Sequence, residues 1–159
     1  RFFIGYYYGA KMANPKVNVL ETYAGTFTDP AAGKEYTLSL VNQKSDINFA
    51  VAGATSAGVI DAAKSTKTLA IGVDSDQNYL APGFVLTSMV KRVDYAVWLA
   101  ARDLTTGQFS AGDTVLGLKE GGVALAPVRV EFAGKADALA QVEALRARII
   151  AGEVVVPSR

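Results

Sequence analysis

The 159 residues contain neither cysteine nor histidine. Without cysteine there is no disulfide, no thiolate nucleophile and no thiolate metal site; without histidine the commonest metal ligand and the commonest general base are gone. The missing cysteines leave the compartment open, because only a disulfide framework or a metal motif would have spoken for one. Charge of a dominant sign is also lacking. Sixteen basic and fifteen acidic residues leave a net charge of +1, which gives no electrostatic reason to expect nucleic acid or an anionic membrane as a partner. No apolar run approaches the roughly 20 residues that span a bilayer. What remains is a chain half hydrophobic and only 19% charged, suited to one well-packed unit or one lobe of a larger protein.

Short apolar runs alternate with amphipathic stretches, joined by connections rich in Gly, Asp, Thr and Pro, the pattern of βα units around a parallel sheet. An opening helix with Phe3, Tyr6, Tyr7 and Ala10 on one side is expected to stop near Asn14-Pro15, followed by a strand from Val17 to Tyr23. Thr28 or Asp29 caps a helix with Pro30 in its first turn, running to about Gln43. Next come a strand from Asp46 to Ala52, a turn over Gly53-Ala54-Thr55-Ser56, and a helix from Ala57 to Lys64 with Val59, Ile60 and Ala63 inward. Thr68 to Val73 is the third strand and Val85 to Met89 the fourth, with the loop Asp74 to Phe84 between them. Val93, Ala96, Val97, Ala100, Ala101 and Leu104 recur at spacings of three and four and mark the clearest helix, ending at Gly107. Thr114 to Leu118 reads as a fifth strand, Lys119 to Gly122 as flexible, and Val128 to Phe132 as a sixth strand. A last helix from about Ala136 to Ala151 aligns Leu139, Val142, Leu145 and Ile149 and stops at Gly152. The whole reads as one lobe without a second domain.

In open parallel sheets ligands bind beyond the carboxyl ends of the strands, where loops meet helix N-termini. Three loops qualify: Gly25 to Asp29, Gly53 to Ser56, and Asp74 to Gln77. Asp74 follows the buried run Leu69 to Val73, and a carboxylate there can accept two hydroxyl hydrogen bonds from a sugar or ribose; the plainer alternative is a turn residue bonded to local N–H groups. The small residues Gly53 and Ala54 would let a ligand approach backbone closely, although such turns are common without ligands, and no phosphate-loop order is present. Phe49 is either core or a stacking face for a flat base, and Lys91 either solvated or a donor to a ring. The triple Tyr6-Tyr7-Tyr8 reads as packing plus a lobe interface. Asp74 and Asp76 as an acid–base pair or as ligands of a hard cation have no supporting motif, so neither catalysis nor a cofactor is expected.

Several stretches together carry a resemblance: Thr26 to Pro30 with Gly33-Lys34-Glu35, Val51-Ala52-Gly53, Ile71 to Gln77 continuing through Tyr79 to Gly83, and Leu86 to Asp94. Gly117 to Val123 and the ending Ile149 to Glu153 with Val156-Pro157-Ser158 extend it over nearly the whole chain. In their order and spacing they resemble the basic membrane protein family of ABC-transporter substrate-binding lipoproteins, which includes purine nucleoside receptors. The resemblance implies a type I periplasmic-binding-protein fold, with residues 1–159 forming most of the C-terminal lobe. It further implies a purine nucleoside clamped between two lobes and handed to a membrane permease, at the bacterial periplasm or the outer face of the cytoplasmic membrane. The start at Arg1 is read as a cut chain whose other lobe, signal peptide and lipid-bearing cysteine lie upstream. Position by position, Asp74 would take the ribose hydroxyls, Phe49 would stack on the base, Gly53 and Ala54 would meet it through backbone, and Lys91 would hydrogen-bond to it. Ala54 and Ser56 depart from the glycines usual in the family, which bears on which ligand fits. The competing expectations are a binding protein for a sugar or other small polar ligand, and a ligand-sensing regulatory domain of the same fold.

Overall fold

A computed structural model describes residues 2–157; Ser158, the last residue of the matching C-terminal stretch, lies outside the described residues. Helix α1 (Phe2–Ala13) leads through an extended, unpaired segment to α2 (Pro30–Asn42). Asp29 caps α2, its carboxylate accepting from the Ala32 N–H at 3.1 Å, and Pro30 occupies the first turn, where a missing N–H costs nothing. Strand β1 (Ile47–Phe49) follows, then a short 3₁₀ turn (Gly53–Thr55), α3 (Ser56–Thr66), β2 (Leu69–Asp74), β3 (Val85–Lys91), α4 (Val93–Thr105), β4 (Val123–Leu125) and α5 (Lys135–Ile150). The strands lie in the order β1-β2-β3-β4, the first three parallel and β4 antiparallel to β3. This is an α/β lobe with a mostly parallel sheet.

Helices α2 and α3 approach each other closely because two glycines allow it. A Cβ on Gly58 would lie 1.8 Å from the Pro30 carbonyl oxygen, and one on Gly33 would lie 2.2 Å from that of Thr55. The core on this side of the sheet is correspondingly small in its side chains: Ile60 and Ala63 of α3 meet Ala70 of β2, Ala81 and Val85, with Phe84 packed alongside. A bulge in β3 then changes the face its residues present. Ala70 pairs with Val85 but Ile71 with Thr87, so Leu86 is the extra residue. Val85 therefore joins the α3 side, while Thr87 and Met89 face a groove of about 600 Å³ on the opposite side of the sheet.

Three expected strands are absent. Val17 to Tyr23 is extended but pairs with no strand among the described residues, and a strand exists only as part of a ladder. Thr114 to Leu118 and Val128 to Phe132 are likewise unpaired, with Val115 85% exposed. The fourth sheet position goes instead to Val123–Leu125, directly after the expected flexible stretch: a hydrogen bond from the Gly122 N–H to the Gly117 carbonyl (2.8 Å) turns the chain, and the Arg92 N–H reaches the Gly122 carbonyl at 2.9 Å, laying the segment antiparallel on β3. Helix α4 forms where expected, yet Val93, Val97 and Leu104 on its apolar stripe are each more than 60% exposed, with nothing among the described residues packed over them.

The glycine contacts make a sign-reversed pair of predictions. Gly58→Ala should lower the unfolding free energy by about 1–3 kcal/mol or more, because backbone must move to admit the methyl group. Gly9→Ala, in a helix where nothing lies within 4 Å of the new Cβ, should be neutral or stabilise by up to about 1 kcal/mol. Urea midpoints of the two variants check both.

Candidate functional site

Because β1, β2 and β3 run parallel, their carboxyl ends open on one edge of the sheet. The register sets Asp74 beside Val90, one residue before Lys91. Lys91 Nζ consequently lies 2.8 Å from Asp74 Oδ1, an ion pair about half exposed to solvent. The adjacent cation, Arg92, is held by Asp94 through a two-nitrogen contact at 2.9–3.1 Å and is not available to the same carboxylate. Lys91 also sits 5.1 Å above the ring of Phe2.

The main chain at Asp74 is held in an uncommon conformation. Its φ is +68°, in the left-handed region, and the Ser75 N–H donates to the Val73 carbonyl at 2.8 Å, closing a three-residue γ-turn around Asp74. Such a residue costs on the order of 1–3 kcal/mol and persists only when its surroundings fix it. Asp76, two residues on, turns the other way. Its carboxylate accepts from the Asn78 N–H at 3.1 Å and pairs with Arg129 at 2.7 Å. Hydrogen bonding from Arg129, and then from the Asn78 backbone, holds the Asp76 carboxyl below the usual carboxylate range.

A cavity of about 220 Å³ lies against the ion pair, walled by Asp74, Lys91, Gly53, Val51, Val73 and the aromatic rings of Phe2 and Phe27. Phe27 arrives on the loop before α2, which Thr55 anchors. The Thr55 hydroxyl accepts from the Asp29 N–H (3.0 Å) and donates to the Thr26 carbonyl (3.3 Å), and its own N–H reaches the Phe27 carbonyl at 3.3 Å. Gly53 is needed at the contact: its φ is +56°, and a Cβ there would lie 3.0 Å from the Phe27 oxygen. The structure thus brings Asp74, Lys91 and Gly53 together. Ala54 is exposed in the 3₁₀ turn and does not wall the cavity. Phe49 points into the larger groove, where Tyr6 of α1 stacks on it at 5.2 Å between ring centroids. Burial, and secondarily Asp46, raises the Tyr6 phenol above its usual pKa, so this stack is neutral.

Spacing marks neither aromatic wall of the cavity, Phe2 or Phe27. The signal for Phe27 is an aromatic between two small polar residues in the loop that leads into the cap of α2, and its side chain is 71% exposed. No cluster of three or more acidic side chains able to hold a metal ion occurs among the described residues, and no helix there is long and apolar enough to cross a membrane.

Comparison with known proteins agrees with this architecture. Residues 1–159 match the family described as ABC transporter substrate-binding protein PnrA-like. The chain is 44% identical over 128 residues to basic membrane protein D of Borreliella burgdorferi, covering 78% of this chain and 38% of that protein. It is 40% identical over 133 residues to an uncharacterized lipoprotein of Pyrococcus furiosus, covering 77% and 33% respectively. Among solved structures, an ABC transporter solute-binding protein from Aeropyrum pernix superposes with a TM-score of 0.78 at 29% identity, over 96% of this chain and 51% of that one. The chain therefore spans between a third and about half of the lengths of these proteins.

The Asp76–Arg129 pair carries a pH prediction. A carboxyl whose pKa is depressed by folding contributes stability above its unfolded value, roughly pH 4, and loses that contribution as pH falls through the folded value. Arg129→Ala should accordingly destabilise at pH 7 and approach the wild type as the solution is acidified below pH 4. Thermal unfolding at pH 7 and pH 3 measures this; an equal deficit at both values would mean that Arg129 acts by packing instead.

Proposed function

The chain belongs to the PnrA-like family of ABC transporter substrate-binding proteins, and from that premise we propose that it forms one wall of a clamp for a purine nucleoside, most of the C-terminal lobe of a two-lobed lipoprotein serving a membrane permease. The observation that carries the reading is the Asp74–Lys91 pair set against Gly53 and the Phe27 ring. Here a carboxylate able to accept two hydroxyls stands beside an ammonium able to donate to a ring nitrogen or carbonyl, and next to an apolar face for a flat base. The two charges cancel, which suits a neutral ligand and gives a phosphate no net attraction.

The scale of the site supports a clamp. Ligand pockets usually enclose about 300–1,000 Å³, and the roughly 220 Å³ here is the share of a single wall. The uncovered stripe of α4 also supports a larger protein, since contiguous apolar surface of this kind is ordinarily covered. In this assignment Asp74 takes the ribose, Lys91 the base, and Gly53 offers backbone, while Ala54, outside this cavity, meets only a ligand that extends past Gly53. Phe49 reaches the base only if Tyr6 leaves its ring, so the stacking face of this wall falls to Phe27. Binding and release are the whole of the task, with no chemistry done on the ligand, and the lipoprotein names of relatives such as that of Pyrococcus furiosus support a location outside the cytoplasmic membrane on a lipid anchor.

Thermal shift of the full-length protein against nucleosides, bases and sugars should show stabilisation by adenosine, guanosine or inosine. A response to a sugar and to no nucleoside would overturn the purine assignment. Asp74→Ala should cost about 1.5–3 kcal/mol of binding, roughly tenfold to a hundredfold in Kd, through loss of a charged acceptor. Phe27→Ala should weaken nucleosides and leave free ribose unaffected, as titration calorimetry would report.

A further inference from the structure

The turn at Asp74 is held by two residues that stay out of the cavity. Gln77 Oε1 accepts from the Val73 N–H at 2.9 Å, and the Gln77 N–H donates to Ser88 Oγ of β3 at 3.1 Å. Val73 is thereby fixed through its N–H by Gln77, while its carbonyl is the acceptor that closes the turn around Asp74. Gln77 Oε1 and Ser88 Oγ both occupy space left open because residue 72 is glycine: a Cβ on Gly72 would lie 2.6 Å from each. Ser88 is fully buried and Gln77 half-buried, and neither walls the cavity. A left-handed aspartate at the end of a strand relaxes unless it is constrained, and this is the constraint that the structure supplies.

We infer that Gln77 and Ser88 are positioning residues for the ligand, acting through Asp74: they hold the γ-turn that aims its carboxylate into the cavity beside Lys91. The inference rests on the reading of Asp74 as the ligand's hydroxyl acceptor. It sharpens that reading into a statement about selectivity, because loosening the turn should cost only those ligands that use the carboxylate.

The test is a double-mutant cycle in the full-length protein, titrated with adenosine, guanosine and inosine and with their 2′,3′-dideoxy counterparts. Gln77→Met keeps the length of the side chain and removes the acceptor. It should weaken the ribonucleosides about fivefold to twentyfold and leave the dideoxy compounds unchanged. Placed on Asp74→Ala, it should add nothing, as expected of residues that act as one unit. Gln77→Glu, which retains an acceptor at the same place, should stay within about threefold of the wild type. Should Gln77→Met fail to fold, Ser88→Ala, which removes only the anchor of the Gln77 backbone, carries the same comparison. Equal losses for ribo and dideoxy ligands, or a full loss added on top of Asp74→Ala, would overturn the inference while leaving Asp74 as the acceptor. An Asp74→Ala variant that binds as well as the wild type would instead remove the reading of Asp74, and this inference with it.

Discussion

Strand β2 is hydrogen-bonded on both sides, and its register with β3 is the constraint on which the ligand edge depends. Shifting that pairing by a single residue would carry Lys91 away from Asp74, since the two meet only because Asp74 stands opposite Val90. The same pairing sets Gly72 opposite Ser88, which is what lets the hydroxyl meet the Gln77 backbone across a position without a side chain. One alignment of two strands therefore fixes the charge pair and its support together. The helices on the far face reinforce it: α3 packs on β2 through Ile60 and Ala63, and is drawn against α2 by the contact that Gly33 and Gly58 permit.

The electrostatics of the edge follow from how each charge is partnered. Lys91 and Asp74 face the cavity, whereas Arg92 is spent on Asp94 and Asp76 on Arg129 and the Asn78 N–H. Five charged groups crowd two short segments, yet only one balanced pair is presented to a ligand. Both partners are about half exposed, so their mutual attraction is screened and readily exchanged for hydrogen bonds to a polar ligand. A fully buried pair would resist that exchange.

Much of this was legible in the residues. Asp29 and Pro30 announced the start of α2, the run Leu69 to Val73 announced a buried strand ending in a carboxylate, and the spacing from Val93 to Leu104 announced α4. Failures came where a property belongs to neighbours and not to the segment. Val17 to Tyr23 has the composition of a strand but no partner strand among the described residues, and Val123–Leu125 has little intrinsic signal but is captured by β3. Phe49 reads more readily as core than as a stacking face, and its stack with Tyr6 in the larger groove is a placement that its own strand does not reveal. The left-handed aspartate was invisible for a similar reason, since nothing local forces a positive φ there; a glutamine three residues on and a serine in the next strand do.

The bulge at Leu86 makes the two ends of β3 answer to different rules of alternation. In the loop from Ser75 to Phe84, Gln77 is fixed on β2 and β3 and Ala81 in the core, so a change of length is absorbed most easily at the exposed Pro82 and Gly83. Loss of Leu86 would remove the bulge and leave the faces as they are, because Val85 opposite Ala70 and Thr87 opposite Ile71 would then simply be consecutive. A residue gained or lost between Thr87 and Lys91 is another matter, because it breaks the alternation there and moves Lys91 relative to Asp74. Beyond the bulge β3 is thus a reading frame counted from Thr87, while Leu86 is slack in that count.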